Sequence, residues 1–151
     1  MAPERLVIGV DVGGTKVAAA LVRGRLPRPG ARTPGELETP EIVDRFTGPT
    51  DVTSAEATVR GIETCIAGLA RGARVDGIGV GVASMVDFDA GRVVDSVNLP
   101  LSDVPLRDLL QRRFQAPVVI DNDATAAAIG EWVYGAGAGT RDMIMLTLGT
   151  G

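Results

Sequence analysis

The stretch Leu6-Val7-Ile8-Gly9-Val10-Asp11-Val12-Gly13-Gly14-Thr15-Lys16 constrains this chain more than any other. An apolar strand runs into an acid, two glycines, a hydroxyl and an amine, and a second apolar run, Val17 to Val22, begins at once. Two strand-like runs this close predict a β-hairpin. Glycines in its turn let backbone N–H groups approach an anion, with Thr15 adding a donor and Lys16 a point charge. Asp11, at the strand end, suits a hydrated Mg²⁺, which prefers one or two carboxylates plus phosphate oxygens. The spacing is neither GxxxxGK[ST] nor GxGxxG, and no helix follows. An ordinary Gly-Gly hairpin turn is the plain alternative.

Composition narrows the chemistry. The 151 residues are 45% hydrophobic, enough for one domain with a real core. Fifteen Lys and Arg stand against 19 Asp and Glu, a net charge of -4, and no basic block suggests a nucleic-acid surface. No apolar run approaches the ~20 residues of a membrane helix, and the N-terminus does not resemble a signal peptide, so a cytoplasmic protein without membrane partners is expected. Cys65 is the only cysteine and histidine is absent. That removes internal disulfides, His-ligated zinc, and Ser-His-Asp or Cys-His catalysis from this chain. Carboxylates, Lys16 and Tyr134 remain for proton transfer.

Along the chain, strands are predicted at 5–12 and 17–22, and a prolonged loop from Leu26 to Pro49 with a short edge strand near Glu36–Thr39. Thr53-Ser54-Ala55-Glu56 reads as a capping box opening a helix whose apolar face is Val59, Ile62, Ile66 and Leu69. Cys65 at the edge of that face reads as a small buried hydrophobe. Val75–Ala83 alternates branched residues with Gly77, Gly79 and Gly81, a strand with one bare face onto which something, most simply a helix, packs closely. Pro105 starts a helix with the stripe Leu106, Leu109, Leu110 and Phe114. Val118–Ile120 is a short strand, Asp121-Asn122-Asp123 opens a helix to about Tyr134, Gly135–Gly139 breaks it, and Met143–Leu148 is a last strand running into Gly149-Thr150-Gly151. This order predicts a three-layer α/β fold: a hairpin, then right-handed crossovers, in a mixed sheet flanked by helices.

Three further stretches carry polar groups with chemical potential. Asp121-Asn122-Asp123 follows a buried strand, where ligands collect at the carboxyl edge of α/β sheets. An Asn beside an Asp can grip vicinal hydroxyls and take a proton from one, although Asp and Asn are also favoured N-caps. Asn98, before Leu99-Pro100, is either a turn residue or a polar contact. Gly81 to Asp87, including Ser84, is either a pocket floor or close packing.

Together these segments resemble the ROK family of bacterial repressors, uncharacterised reading frames and sugar kinases, its glucokinase-like members above all. Ile8 to Lys16 resembles the family's first phosphate motif. Gly77–Gly81 through Val86-Asp87, Gly91 and Asn98-Leu99-Pro100 resembles its sugar-pocket segment. Asp121–Ala124 through Gly130-Glu131, then Leu146–Gly151, resembles its catalytic segment and the start of its second phosphate motif. The resemblance implies an actin-like, ribonuclease-H-like ATPase fold with ATP and sugar between two lobes. It implies transfer of the γ-phosphoryl group of ATP, with Mg²⁺, to a sugar hydroxyl. By position it makes Asp123 the general base and gives Asn98, Asn122 and Asp123 the sugar hydroxyls. Gly13, Gly14, Thr15, Lys16, Gly149, Thr150 and Gly151 become phosphate contacts, and Asp11 the acid near Mg²⁺, through water.

Departures from the family pattern are specific. Ala83-Ser84 stands where a Pro-Gly pair is usual, so Ser84 faces the sugar pocket and bears on its choice of sugar. Leu101 stands near a position often held by Trp. Residues 1–134 are expected to form the N-terminal lobe, and 135–151 a hinge and the first strand of a truncated second lobe. The adenosine site and the family's zinc segment are then absent from this chain. A homo-oligomer is expected of the full-length protein, and no turnover, or weak turnover, of the chain alone. A sugar-sensing regulator without a DNA-binding domain, or a non-catalytic lobe, is the alternative.

Overall fold

Backbone pairing runs the full length of the opening hairpin in the computed structural model, which describes residues 3–25 and 39–148. Strand β1 (Arg5–Val12) lies antiparallel to β2 (Lys16–Gly24), from Arg5 opposite Gly24 to Val12 opposite Val17. On its other side β1 pairs parallel with β4 (Gly77–Val82), and β4 pairs parallel with β7 (Val118–Asn122). Strand β3 (Glu41–Pro49) adds to β2 antiparallel, so the sheet order is β3-β2-β1-β4-β7. A separate two-stranded ribbon, β5 (Met85–Asp87) and β6 (Arg92–Asp95), projects from the end of β4.

The core occupies one face of the sheet. Ile8, Val10 and Val12 alternate inward with Val17, Ala19 and Leu21, and with Ile78, Val80, Val82, Val118 and Ile120. Helix α1 (Ala55–Ala70) presents Val59, Ile62, Ile66 and Leu69 to them, and α2 (Leu106–Phe114) presents Leu106 and Leu110. Period two in the strands meets period 3.6 in the helices, as the sequence requires. Cys65 is buried in the same cluster, and that burial pushes its thiol up to about 11, which makes it inert. Helix α3 (Asp123–Tyr134) lies on the opposite face against β4 and β7. A Cβ on Gly81 would meet the Asp123 Cα at 3.3 Å and the Ala126 Cβ at 3.4 Å, so the bare strand face does receive a helix there. At Gly9 and Gly79 an added Cβ would meet nothing within 4 Å, so close packing does not explain those two glycines.

Three sequence-based expectations are corrected. The Leu26–Pro49 loop contains a nine-residue edge strand, β3, at 41–49, beyond the one expected at Glu36–Thr39. Thr39 lies outside any strand, and 36–38 fall outside the described residues. Most β3 side chains are exposed, so burial leaves no alternation to read, and the strand is held by its ladder to β2. The helix cap is Ser54, whose hydroxyl accepts from Ala57 N–H at 3.1 Å, while Thr53 is tied instead to the Asp51 carboxylate. Met143–Leu148 forms no strand among the described residues: Ile144, Leu146 and Leu148 are 83–98% exposed, and no neighbour pairs with them. Apolar alternation makes a strand only where a partner supplies the ladder.

Arg107, in the first turn of α2, fastens the ribbon to that helix. Its guanidinium donates to the carbonyls of Phe88, Asp89 and Ala90 at 3.0–3.4 Å, and its backbone N–H donates to Gly91 O. Gly91 has φ +67°, and a Cβ there would strike the Arg107 side chain.

Ile62 is fully buried between α1 and the sheet. Ile62→Ala is expected to cost about 2–5 kcal/mol, read as a lowered midpoint in chemical denaturation with an unchanged slope.

Candidate functional site

The carboxyl ends of the three parallel strands finish at one level. Asp11 pairs with Gly81, and Gly81 with Asp121, in a single row across β1, β4 and β7. The glycine at the centre of that row lets the start of α3 come down onto the sheet, which brings Asp123 beside Asp11. Both carboxylates line a cleft of about 400 Å³, together with Val10, Gly81, Ala124, Ala126, Ala127 and Thr147. A larger cleft of about 570 Å³ lies on the open sheet face, lined by groups such as Val7, Val22, Ile42 and Val119. It lacks converging charged groups, and the smaller one, where two carboxylates meet, is the candidate site.

Partial burial, then the Asp123 carboxylate, raise the Asp11 pKa, while Lys16 pulls it down. The Asp11 side chain remains accessible to solvent, so the shift is screened and modest. The pair is a hard-oxygen donor set whose repulsion Lys16 offsets in part, which fits a divalent cation. Among the described residues no three Asp, Glu, Cys or His side chains cluster as a metal cage.

The opening turn abuts the Asn98 loop. A Cβ on Gly14 would lie 2.9 Å from both the Cβ and the carbonyl oxygen of Asn98, so Gly14 is the point where the two loops touch. The Asn98 loop is itself held by Ser96, whose hydroxyl donates to Ala83 O at 3.2 Å and accepts from Leu99 N–H at 3.2 Å. Ala83 N–H in turn donates to Val12 O at 3.0 Å, joining the end of β4 to the start of the turn.

Asn122, not Asp123, is the N-cap of α3. Its Oδ1 accepts from Thr125 N–H at 3.1 Å and its Nδ2 donates to Ser84 O at 3.2 Å. One amide hydrogen and one lone pair stay available. Asp123 accepts from Ala124 N–H through Oδ1 at 2.9 Å, leaving Oδ2 free of protein partners among the described residues. The Ser84 hydroxyl is buried and meets no hydrogen-bond partner among the described residues, an arrangement that costs about 1–3 kcal/mol unless a ligand or water satisfies it. Ser84, Asn98 and Asn122 do not line the Asp11–Asp123 cleft; they form its flank. Gly149, Thr150 and Gly151 lie outside the described residues.

Two hydroxyls at this site escaped the sequence reading, Thr50 and Ser96. Thr50 bonds to Gly13, 37 positions away, and only the β2–β3 register brings them together. Ser96 left a weaker sign, a small hydroxyl two residues before Asn98.

With this geometry in place, the family can be stated. A model described as "ROK family" matches residues 7–151, and the chain belongs to that family. The fold is the actin-like ATPase fold of ROK glucokinase structures. The chain is 36% identical to a glucokinase from Streptomyces coelicolor over 97% of its own length and 41% of that protein's. A crystal structure of a ROK family glucokinase from Streptomyces griseus, in complex with glucose and AMPPNP, superposes with a TM-score of 0.72. It is 36% identical, covering 89% of this chain and 38% of that one. A xylose repressor from Caldicellulosiruptor bescii is 41% identical over 50% of this chain and 19% of the repressor. The chain thus spans about two fifths of the length of the glucokinases it matches. Sugar kinase function is supported at the level of the family. No helix among the described residues is long and apolar enough to cross a membrane.

Gly14→Ala must displace backbone at Asn98, and an overpacking cost of about 1–3 kcal/mol is expected as a lowered melting temperature. Asp11 behaves differently. Its folded pKa lies above the ordinary 3.8, so its ionised form opposes folding above that value and the penalty disappears as pH falls below it. Asp11→Asn in metal-free buffer is therefore expected to raise the melting temperature at pH 7, with the gain vanishing below the carboxylate range.

Proposed function

We propose that this chain is the N-terminal lobe of an ATP-dependent hexose kinase of the glucokinase type. On this reading residues 1–134 belong to the lobe, and 135–151 lead toward a second one. The observation that carries this reading is the cleft shared by Asp11 and Asp123 at the carboxyl edge of the sheet, with the Lys16 charge acting on Asp11. Charge-neutralising groups for a phosphate and a free carboxylate oxygen for a hydroxyl proton stand side by side. The similarity to kinases known with glucose and a nucleotide analogue supports the same assignment.

In the proposed reaction the sugar hydroxyl oxygen bonds to the γ-phosphorus of ATP as the bond to the bridging oxygen breaks and ADP leaves. The hydroxyl proton passes to Asp123, whose Oδ2 is free because Ala124 N–H holds Oδ1. The transition state is loose, so positioning and charge neutralisation dominate and the base acts late. Gly13, Gly14, Thr15 and Lys16 face the phosphates, with Gly149, Thr150 and Gly151 assigned to the same task. Asp11 would hold Mg²⁺ through water, and the cation would supply neutralisation of the phosphate charge there. Asn98 and Asn122 hold the sugar hydroxyls, and the unpartnered Ser84 hydroxyl offers a further hydrogen bond near them that shapes the choice of sugar. The likeness of half the chain to a xylose repressor keeps a sugar-sensing regulator as the second reading.

The deciding measurement is ADP release coupled to glucose phosphorylation. The full-length protein is expected to turn over and the 151-residue chain alone to show weak activity or none. In the full-length protein Asp123→Asn is expected to lower kcat by about 10²–10⁴-fold with an unchanged circular-dichroism spectrum. Full activity in that variant removes Asp123 as the base. Glucose binding without any phosphorylation by the full-length protein favours the regulator.

A further inference from the structure

Thr50 is the first residue after β3 and reaches back to the opening turn. Its hydroxyl donates to Gly13 O at 2.6 Å, and its backbone N–H donates to Thr15 O at 3.1 Å. Within the turn, Gly13 N–H donates to Lys16 O at 2.9 Å. The carbonyls of Gly13, Thr15 and Lys16 are thus all engaged. The backbone N–H groups of Gly14 and Thr15 donate to nothing among the described residues.

A trans peptide carries its C=O and the following N–H on opposite sides of the plane. Holding the Gly13 carbonyl to Thr50 therefore turns Gly14 N–H away from Thr50. The same bond removes an oxygen that would repel an anion and leaves a donor that attracts one. Thr50 is itself anchored. The next carbonyl, Asp51 O, accepts from the Thr58 hydroxyl at 2.7 Å, and Thr58 is buried in the first turns of α1. From the other side the turn rests on Asn98 through Gly14.

We propose that Thr50 is a positioning residue for the anion-binding turn: its hydroxyl fixes the Gly13 carbonyl so that the N–H of the same peptide, that of Gly14, meets a phosphate group. The inference rests on the kinase reading for the identity of that phosphate, a nucleotide's. Thr50 does not touch the anion. Its hydroxyl sets the orientation of the group that does, before any ligand arrives.

The test uses the isotope-labelled 151-residue chain titrated with inorganic pyrophosphate, following the amide resonances of Gly13 to Lys16 by NMR. The wild type is expected to show saturable shifts there. Thr50→Val keeps the shape and removes the donor, and a loss of about tenfold in pyrophosphate affinity is expected. Thr50→Ser restores the donor and is expected to bind within about twofold of wild type, with all proteins measured well below their melting temperatures. A merely structural role would lower the melting temperature of the valine variant without this serine-rescued loss. Equal affinity in Thr50→Val and wild type, an equal loss in both variants, or no saturable shift in the wild type overturns the assignment. If the full-length protein phosphorylates no hexose while the pyrophosphate pattern holds, the kinase reading falls and Thr50 keeps its role. If phosphorylation proceeds and Thr50→Val binds pyrophosphate normally, the assignment of Thr50 falls alone.

Discussion

The approach of α3 to Gly81 is the contact on which the site depends. A side chain at that position would sit 3.3–3.4 Å from the helix backbone at Asp123 and from Ala126, and the helix would have to lift. Asp123 would lift with it. The distance between the two carboxylates is therefore set by the absence of an atom in the middle strand. Ala126 belongs to the same arrangement, because its methyl group is what the helix sets against Gly81.

Parallel pairing adds the second constraint. Strands β1, β4 and β7 run the same way, so their C-terminal residues end together and their following loops share one edge. The turn after β1, the Ser84 corner after β4 and the cap of α3 after β7 are neighbours for that reason. Their contacts are then few and specific: Gly14 on Asn98, Asn122 on Ser84, Ala83 on Val12.

Much of this was legible from the chain. The hairpin, both core helices and the three parallel strands follow from apolar period and turn residues, because their burial is one-sided and regular, whereas the α3 span follows from its Asp and Asn start and its small residues, none of them buried. Strand β3 was not legible because its side chains are mostly exposed and its stability lies in bonds to β2, which carry no residue preference. Met143–Leu148 shows the reverse failure, with strand-like alternation but no ladder among the described residues. At the site, residue types pointed to Asp11, Asp123 and the glycine turn. They did not separate Asn122 from Asp123 as the cap, since both can accept from a helix N-terminus. Thr50 left no sign at all, because its partner lies across a strand register that the sequence did not reveal.

Arg107 has a mechanical consequence. A ribbon fastened by one guanidinium to three successive carbonyls cannot swing on its own stalk. Any displacement of Met85–Asp95 drags the first turn of α2, and Leu106 in that turn is wedged fully into the core. The ribbon and helix therefore travel as one lever with its fulcrum inside the lobe.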